Sequence, residues 1–72
     1  MVPDMDFKLK FEFIELDNLL KVLELVDSGA AAKLSIQSGE VKVNGQVEIR
    51  VRRKLRSGDI VEFHQQQISI VK

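Results

Sequence analysis

The chain has 72 residues, 44% hydrophobic and 31% charged, with eleven Lys and Arg against eleven Asp and Glu, a single His and no Cys. A chain this short buries only about 60% of the surface its unfolded form exposes. Without Cys and with one His it can assemble neither a disulfide framework nor a zinc site of the usual Cys/His kind, so packing alone must hold it and no metal or cofactor is expected. No stretch approaches the roughly 20 apolar residues of a membrane span, and the N-terminus lacks a basic segment followed by an apolar run. One soluble, cytoplasmic domain over residues 1–72 is the expectation.

The neutral total conceals a division. Met1 to Ala32 carries three Lys against seven Asp or Glu, a net of minus four, whereas Lys33 to Lys72 carries eight basic against four acidic residues, a net of plus four. Five of the basic residues fall between Arg50 and Arg56. Charges farther apart than about 8 to 10 Å barely sense one another in physiological salt, so a partner meets the local field and not the sum.

Phe7, Leu9, Phe11 and Phe13 alternate with Lys8, Lys10 and Glu12, the period-two pattern of a half-buried strand. Leu16, Leu19, Leu20 and Leu23 then recur at helical spacing, with Val22 and Val26 widening the apolar face. Asp17 falls in the opening turn of that helix, where a carboxylate is favoured. Ser28 is placed to cap a second short helix running to about Ser38, and Gly39 to end it. Val41-Lys42-Val43, Asn44-Gly45 and Gln46-Val47-Glu48-Ile49 form the strongest short-range hairpin signal in the chain. Gly58 precedes the apolar run Ile60-Val61 with Phe63, and Gln65-Gln66 leads to Ile68, Ile70 and Val71. The order is strand, helix, helix, then several strands. His64 has no Cys, second His or evident nucleophile patterned with it and reads as a surface turn position.

Ser28-Gly29-Ala30-Ala31-Ala32-Lys33, followed by Ile36, Gly39, Val41, Val43-Asn44-Gly45 and Gly58-Asp59-Ile60-Val61, resembles the S-four domain, the small RNA-binding module named for the fourth protein of the small ribosomal subunit. The resemblance spans Glu15 to Phe63 and is nearest to stand-alone bacterial versions. It implies an α+β fold, the alpha-L motif, with two short packed helices against a small antiparallel sheet. It also implies an RNA surface on the second helix and adjoining hairpin, which carries over to Ser28, Lys33, Lys42 and Asn44. The chain departs from the family pattern at two positions. Glu15 stands where the family usually has Arg before the Leu-Asp pair of the first helix, and Gly29 where it usually has Arg after the capping Ser.

The basic run can replace those cations. If residues 50–56 are extended, Arg50, Arg52, Lys54 and Arg56 project to one face while Val51 and Leu55 turn inward with Arg53 between them. Arg grips phosphate bidentately and stays charged at any relevant pH. The candidate RNA-binding set is therefore Ser28, Gly29, Lys33, Lys42, Asn44, Arg50, Arg52, Arg53, Lys54 and Arg56.

With no Trp or Tyr and with the Phe residues assigned to strands, no exposed aromatic platform for unpaired bases is expected, which favours structured RNA held by phosphate contacts and shape. Ribosomal RNA, transfer RNA or a ribosome-assembly particle fits that description. The expected protein is monomeric and non-catalytic, with no small-molecule substrate and no membrane partner, because catalysis in the family resides in a separate domain. The alternative is a protein-interaction adaptor that uses an acidic Asp17 and Glu24 face on the first helix and the basic run at the other pole.

Overall fold

The computed structural model describes residues 4–72. The elements are β1 (Asp4–Lys8), β2 (Ile14–Glu15), α1 (Leu16–Val22), α2 (Gly29–Gln37), β3 (Val41–Val43), β4 (Gln46–Val47), β5 (Lys54–Leu55), β6 (Ile60–Phe63) and β7 (Gln66–Val71). The fold is α+β: the described residues form two helices, a five-stranded sheet in the order β1-β7-β6-β3-β4, and a separate β2-β5 ladder. The expected antiparallel pairing holds from β4 through β7, but β1 runs parallel to β7, so the sheet is mixed.

Alternation in the chain reads directly onto this sheet. Val41, Val43, Val61, Phe63, Ile68 and Ile70 are buried and meet Leu16, Leu19 and Leu20 of α1 and Ala32 and Ile36 of α2 in one core, joined by Leu55. The opposite face carries the cross-strand row Lys42, Glu62, Gln67 and Asp4. Apolar burial of this kind is worth about 25 cal/mol per Å² and must carry a fold without disulfides.

Both helices end the same way, with different residues. After α2, Ser38 is the C-cap, Gly39 takes φ +82°, and the amides of Gly39 and Glu40 return to the carbonyls of Ile36 and Ser35. After α1, Leu23 closes the helix, Glu24 takes φ +58°, and the amides of Glu24 and Leu25 return to Lys21 and Leu20. Each is the Schellman closure, in which a left-handed residue lets the chain satisfy the last free carbonyls. The apolar spacing suggested a longer first helix. The chain instead turns back at Glu24, leaving Leu23, Leu25 and Val26 packed against the core from outside the helix. Glu24, expected on the first helix with Asp17, lies just past the end of α1.

Two further expectations give way to local geometry. The first strand was expected over Phe7–Phe13 but ends at Lys8, because Lys8 pairs with Val71, the last residue of β7, and beyond the Leu9 amide no partner strand remains among the described residues. The run Arg50–Arg56 is not extended either. It turns, with the Arg53 amide donating to the Arg50 carbonyl at 3.3 Å, and only Lys54–Leu55 joins a ladder, opposite Ile14–Glu15.

Candidate nucleic-acid interface

The start of α2 is fixed by Ser28, whose extended backbone lets its Oγ accept from the Ala31 amide at 3.1 Å. That capping orients Gly29 and Lys33 toward the segment after the hairpin. Asp17, Gly29, Lys33, Val51 and Arg52 line one cleft, and Arg52 also borders a second, formed with Arg50, Arg53 and Lys54. A continuous surface therefore runs from Lys33 past Arg52 to Lys54. A side chain added at Gly29 would meet no atom within 4 Å, so packing does not require glycine at this place on the cleft wall.

Charge on this surface is not evenly available. The hairpin pairs Val43 with Gln46 and Lys42 with Val47, and the Glu48 amide donates to the Val41 carbonyl, which sets Glu48 opposite a core residue and leaves it 7% exposed. Its carboxylate is enclosed by arginines. Arg50 donates through Nε at 3.0 Å, Nη2 at 2.9 Å and its backbone amide at 2.9 Å, and Arg53 donates through Nη1 at 2.7 Å. The Arg50 side-chain bonds lower the Glu48 pKa from 4.5 to about 2; burial opposes the shift and the Arg53 bond reinforces it. Two of the five cations in the run thus share one internal carboxylate, which cancels one of their two charges. Among the described residues, the side-chain nitrogens of Lys33, Arg52, Lys54 and Arg56 have no carboxylate oxygen within 4.0 Å.

Asn44 takes φ +52° ahead of Gly45 at φ +84°, the backbone of a two-residue hairpin turn. Its side chain is bonded at both ends: Nδ2 donates to Asp59 Oδ1 at 3.0 Å, and Oδ1 accepts from the Ile60 amide at 2.9 Å. Asp59 Oδ2 in turn accepts from the Arg56 amide at 2.8 Å. Burial works against the Asp59 carboxylate, but the bonds from Arg56 and Asn44 prevail and its pKa lies below 3.8. Asn44 thereby ties the hairpin to the turn before β6. Lys42 lies elsewhere, on the exposed sheet face, in a depression shared with Glu40, Glu62 and His64. His64 occupies the β6–β7 turn at φ +48°, stacked on Phe63 and paired with Glu40.

The aromatic expectation is overturned. Phe11, outside the shortened β1, is 82% exposed, and Lys54 Nζ and the Arg56 guanidinium carbon lie 4.9 and 5.7 Å from the centre of the Phe13 ring. Sequence reasoning also missed Glu48 as the neutralising group. Its signal was present in the register of the Asn44-Gly45 hairpin, which sets position 48 opposite Val41.

A helix capped by Ser28, a Schellman glycine at 39, an Asn-Gly hairpin and a Gly-Asp turn in this order fit one family, and residues 7–71 match the model of the S4 domain. The chain belongs to the S4 domain family. This S4 domain is 42% identical over 62 residues to YbcJ of Escherichia coli (strain K12), covering 86% of the chain and 89% of that protein. It is 41% identical over 52 residues to "Probable ribosome maturation protein RlbA" of Bacillus subtilis (strain 168), covering 72% of the chain and 73% of that protein. The solution structure of E. coli YbcJ, described as revealing an alfaL motif involved in RNA-binding, superimposes with a TM-score of 0.68 at 36% identity, over 100% of this chain and 90% of that one.

Proposed function

We propose that this S4 domain is a non-catalytic, monomeric, cytoplasmic RNA-binding module that recognises structured RNA of ribosomal or transfer type through the surface from Lys33 to Arg56. The observation that carries the reading is the convergence of Lys33 from α2 and Arg52 from the 50–54 turn on one cleft, without a carboxylate in ion-pairing range. Membership in a family whose E. coli member YbcJ is described as carrying an RNA-binding motif supports it. Ser28 and Asn44 serve mainly to hold the surface, because their side chains are engaged within the protein. Lys33, Arg52, Lys54 and Arg56 would meet phosphates.

Four neutralised phosphates give a slope of log affinity against log salt of roughly minus three to minus three and a half. Fluorescence anisotropy with labelled ribosomal RNA, from about 50 to 200 mM salt, measures it. Arg52→Ala should flatten the slope by about one, while Arg50→Ala, whose charge is already met by Glu48, should change it less. A flat salt response, or equal effects of the two variants, would overturn this reading.

A further inference from the structure

We propose that the apolar trough beside Phe11 is a stacking site for one unpaired nucleotide of a bound RNA. The inference rests on the RNA-binding reading above and adds a place where a base, and not the phosphate backbone alone, is held.

The trough exists because β1 stops at Lys8 while its apolar alternation continues. Residues 9–13 leave the sheet edge, and Phe11 and Val22 remain 82% and 61% exposed. Two adjoining depressions, of about 250 and about 490 Å³, share Phe11, Phe13, Ile14 and Val22 as walls. An uncovered aromatic next to an uncovered aliphatic is a surface that gains by acquiring a partner.

Charge identifies the partner. Lys54 and Arg56 lie over the Phe13 ring at the margin of the trough, and among the described residues neither cationic head has a carboxylate oxygen within 4.0 Å, although the Arg56 backbone amide bonds Asp59. Glu15 is the ladder partner of Lys54, yet the ammonium sits on the ring outside ion-pairing range of that carboxylate. An apolar helix or acyl chain would cover Phe11 and Val22 but leave those cations unanswered. A nucleotide answers both: its base offers a flat π face to Phe11, and its phosphate an anion to Lys54 and Arg56. Glu15 and Asn18 border the larger depression. A carboxylate acceptor and an amide there have the chemistry to meet exocyclic amines on a base edge. Arg56 and Lys54 also end the phosphate-facing surface, so a strand held there has its next unpaired residue within reach of the trough.

The test compares a fully paired RNA duplex of about 16 base pairs with the same duplex carrying one bulged 2-aminopurine. The bulged RNA should bind about 5- to 150-fold tighter, the range expected for one stacked base, with its fluorescence quenched on binding. Phe11→Ala should remove that advantage and the quenching while leaving duplex affinity and the melting temperature unchanged, since Phe11 is nearly fully exposed. Phe11→Trp should keep both. Equal binding of the two RNAs would overturn the base site and leave the RNA reading standing. Binding of neither would overturn both. If Phe11→Leu retained the full advantage, or if Phe11→Ala instead abolished nuclease-resistant association with a protein, the site would be an apolar docking surface and the proposal would fail.

Discussion

Arg53 Nη1 lies 2.7 Å from Glu48 Oε1, the same oxygen that receives Arg50 Nη2 at 2.9 Å, so a single carboxylate restrains two arginines of the basic run. Glu48→Gln should therefore have opposite effects on two quantities. Stability should fall by about 1 to 3 kcal/mol, the range for hydrogen bonds to a charged group, as read by urea denaturation. Affinity for structured RNA should rise and the salt slope steepen by about one, because removing the one carboxylate that Arg50 and Arg53 share leaves one more positive charge for phosphate. A variant that lost stability without gaining affinity would place those arginines away from the bound surface.

The same carboxylate sets an acid limit. Its folded pKa of about 2 lies below the ordinary 4.5, so it contributes stability above pH 4.5 that is lost as pH falls from 4.5 toward 2. Asp59, also lowered from 3.8, adds to the loss below that pH. Arg50 is 71% exposed, so solvent screens the pair and the part due to Glu48 is about 1 to 2 kcal/mol. Denaturation midpoints at pH 7, 4.5 and 3 should show little change over the first interval and a drop over the second, smaller in Glu48→Gln.

Asn44 offers a separation of structure from contact. Asn44→Ala removes the bonds to Asp59 and the Ile60 amide and places a β-carbon residue without compensating bonds at φ +52°. The expected cost is about 2 to 3 kcal/mol. Asn44→Gly, which tolerates the backbone but also loses the bonds, should cost less. If both variants melted like the parent while RNA affinity fell, Asn44 would be a contact residue and not a brace.

Gly29 invites a gain of function. Its position on the cleft shared with Lys33 and Arg52 is open, with no atom within 4 Å of a built β-carbon. Gly29→Arg should strengthen RNA binding and steepen the salt slope by about one, with little change in stability, because at the first position of α2 a cation meets the positive end of the helix and offsets the gain in propensity over Gly. An unchanged slope would show that the cleft does not face phosphate.

What could be read in the chain was local. Ser28, Gly39 and Asn44-Gly45 each dictate the conformation of their own few residues, and the structure places a cap, a helix end and a hairpin turn there. The motif order carried the family. What could not be read depends on distant neighbours. The pattern Phe7 to Phe13 continues past the point where β7 runs out, so alternation alone could not show that Phe11 is uncovered. The basic run looked like a row of free charges because the compensating Glu48 acts through hairpin register and not through proximity in a regular strand. Likewise Glu24 gave no glycine-like signal for ending α1, although the backbone adopts the same left-handed closure as at Gly39.

The parallel pairing of β1 with β7 governs the order in which the molecule can assemble. A polypeptide leaving the ribosome amino end first displays Met5 and Phe7 long before Ile68 and Ile70, their opposite numbers, are synthesised. Until then that hydrophobic segment has no sheet edge to join. The hairpin and helices can form early from near neighbours, while the β1–β7 seam waits for Gln66–Val71 and closes over a long stretch of intervening chain. The seam should be the first part to open under tension applied to the two ends.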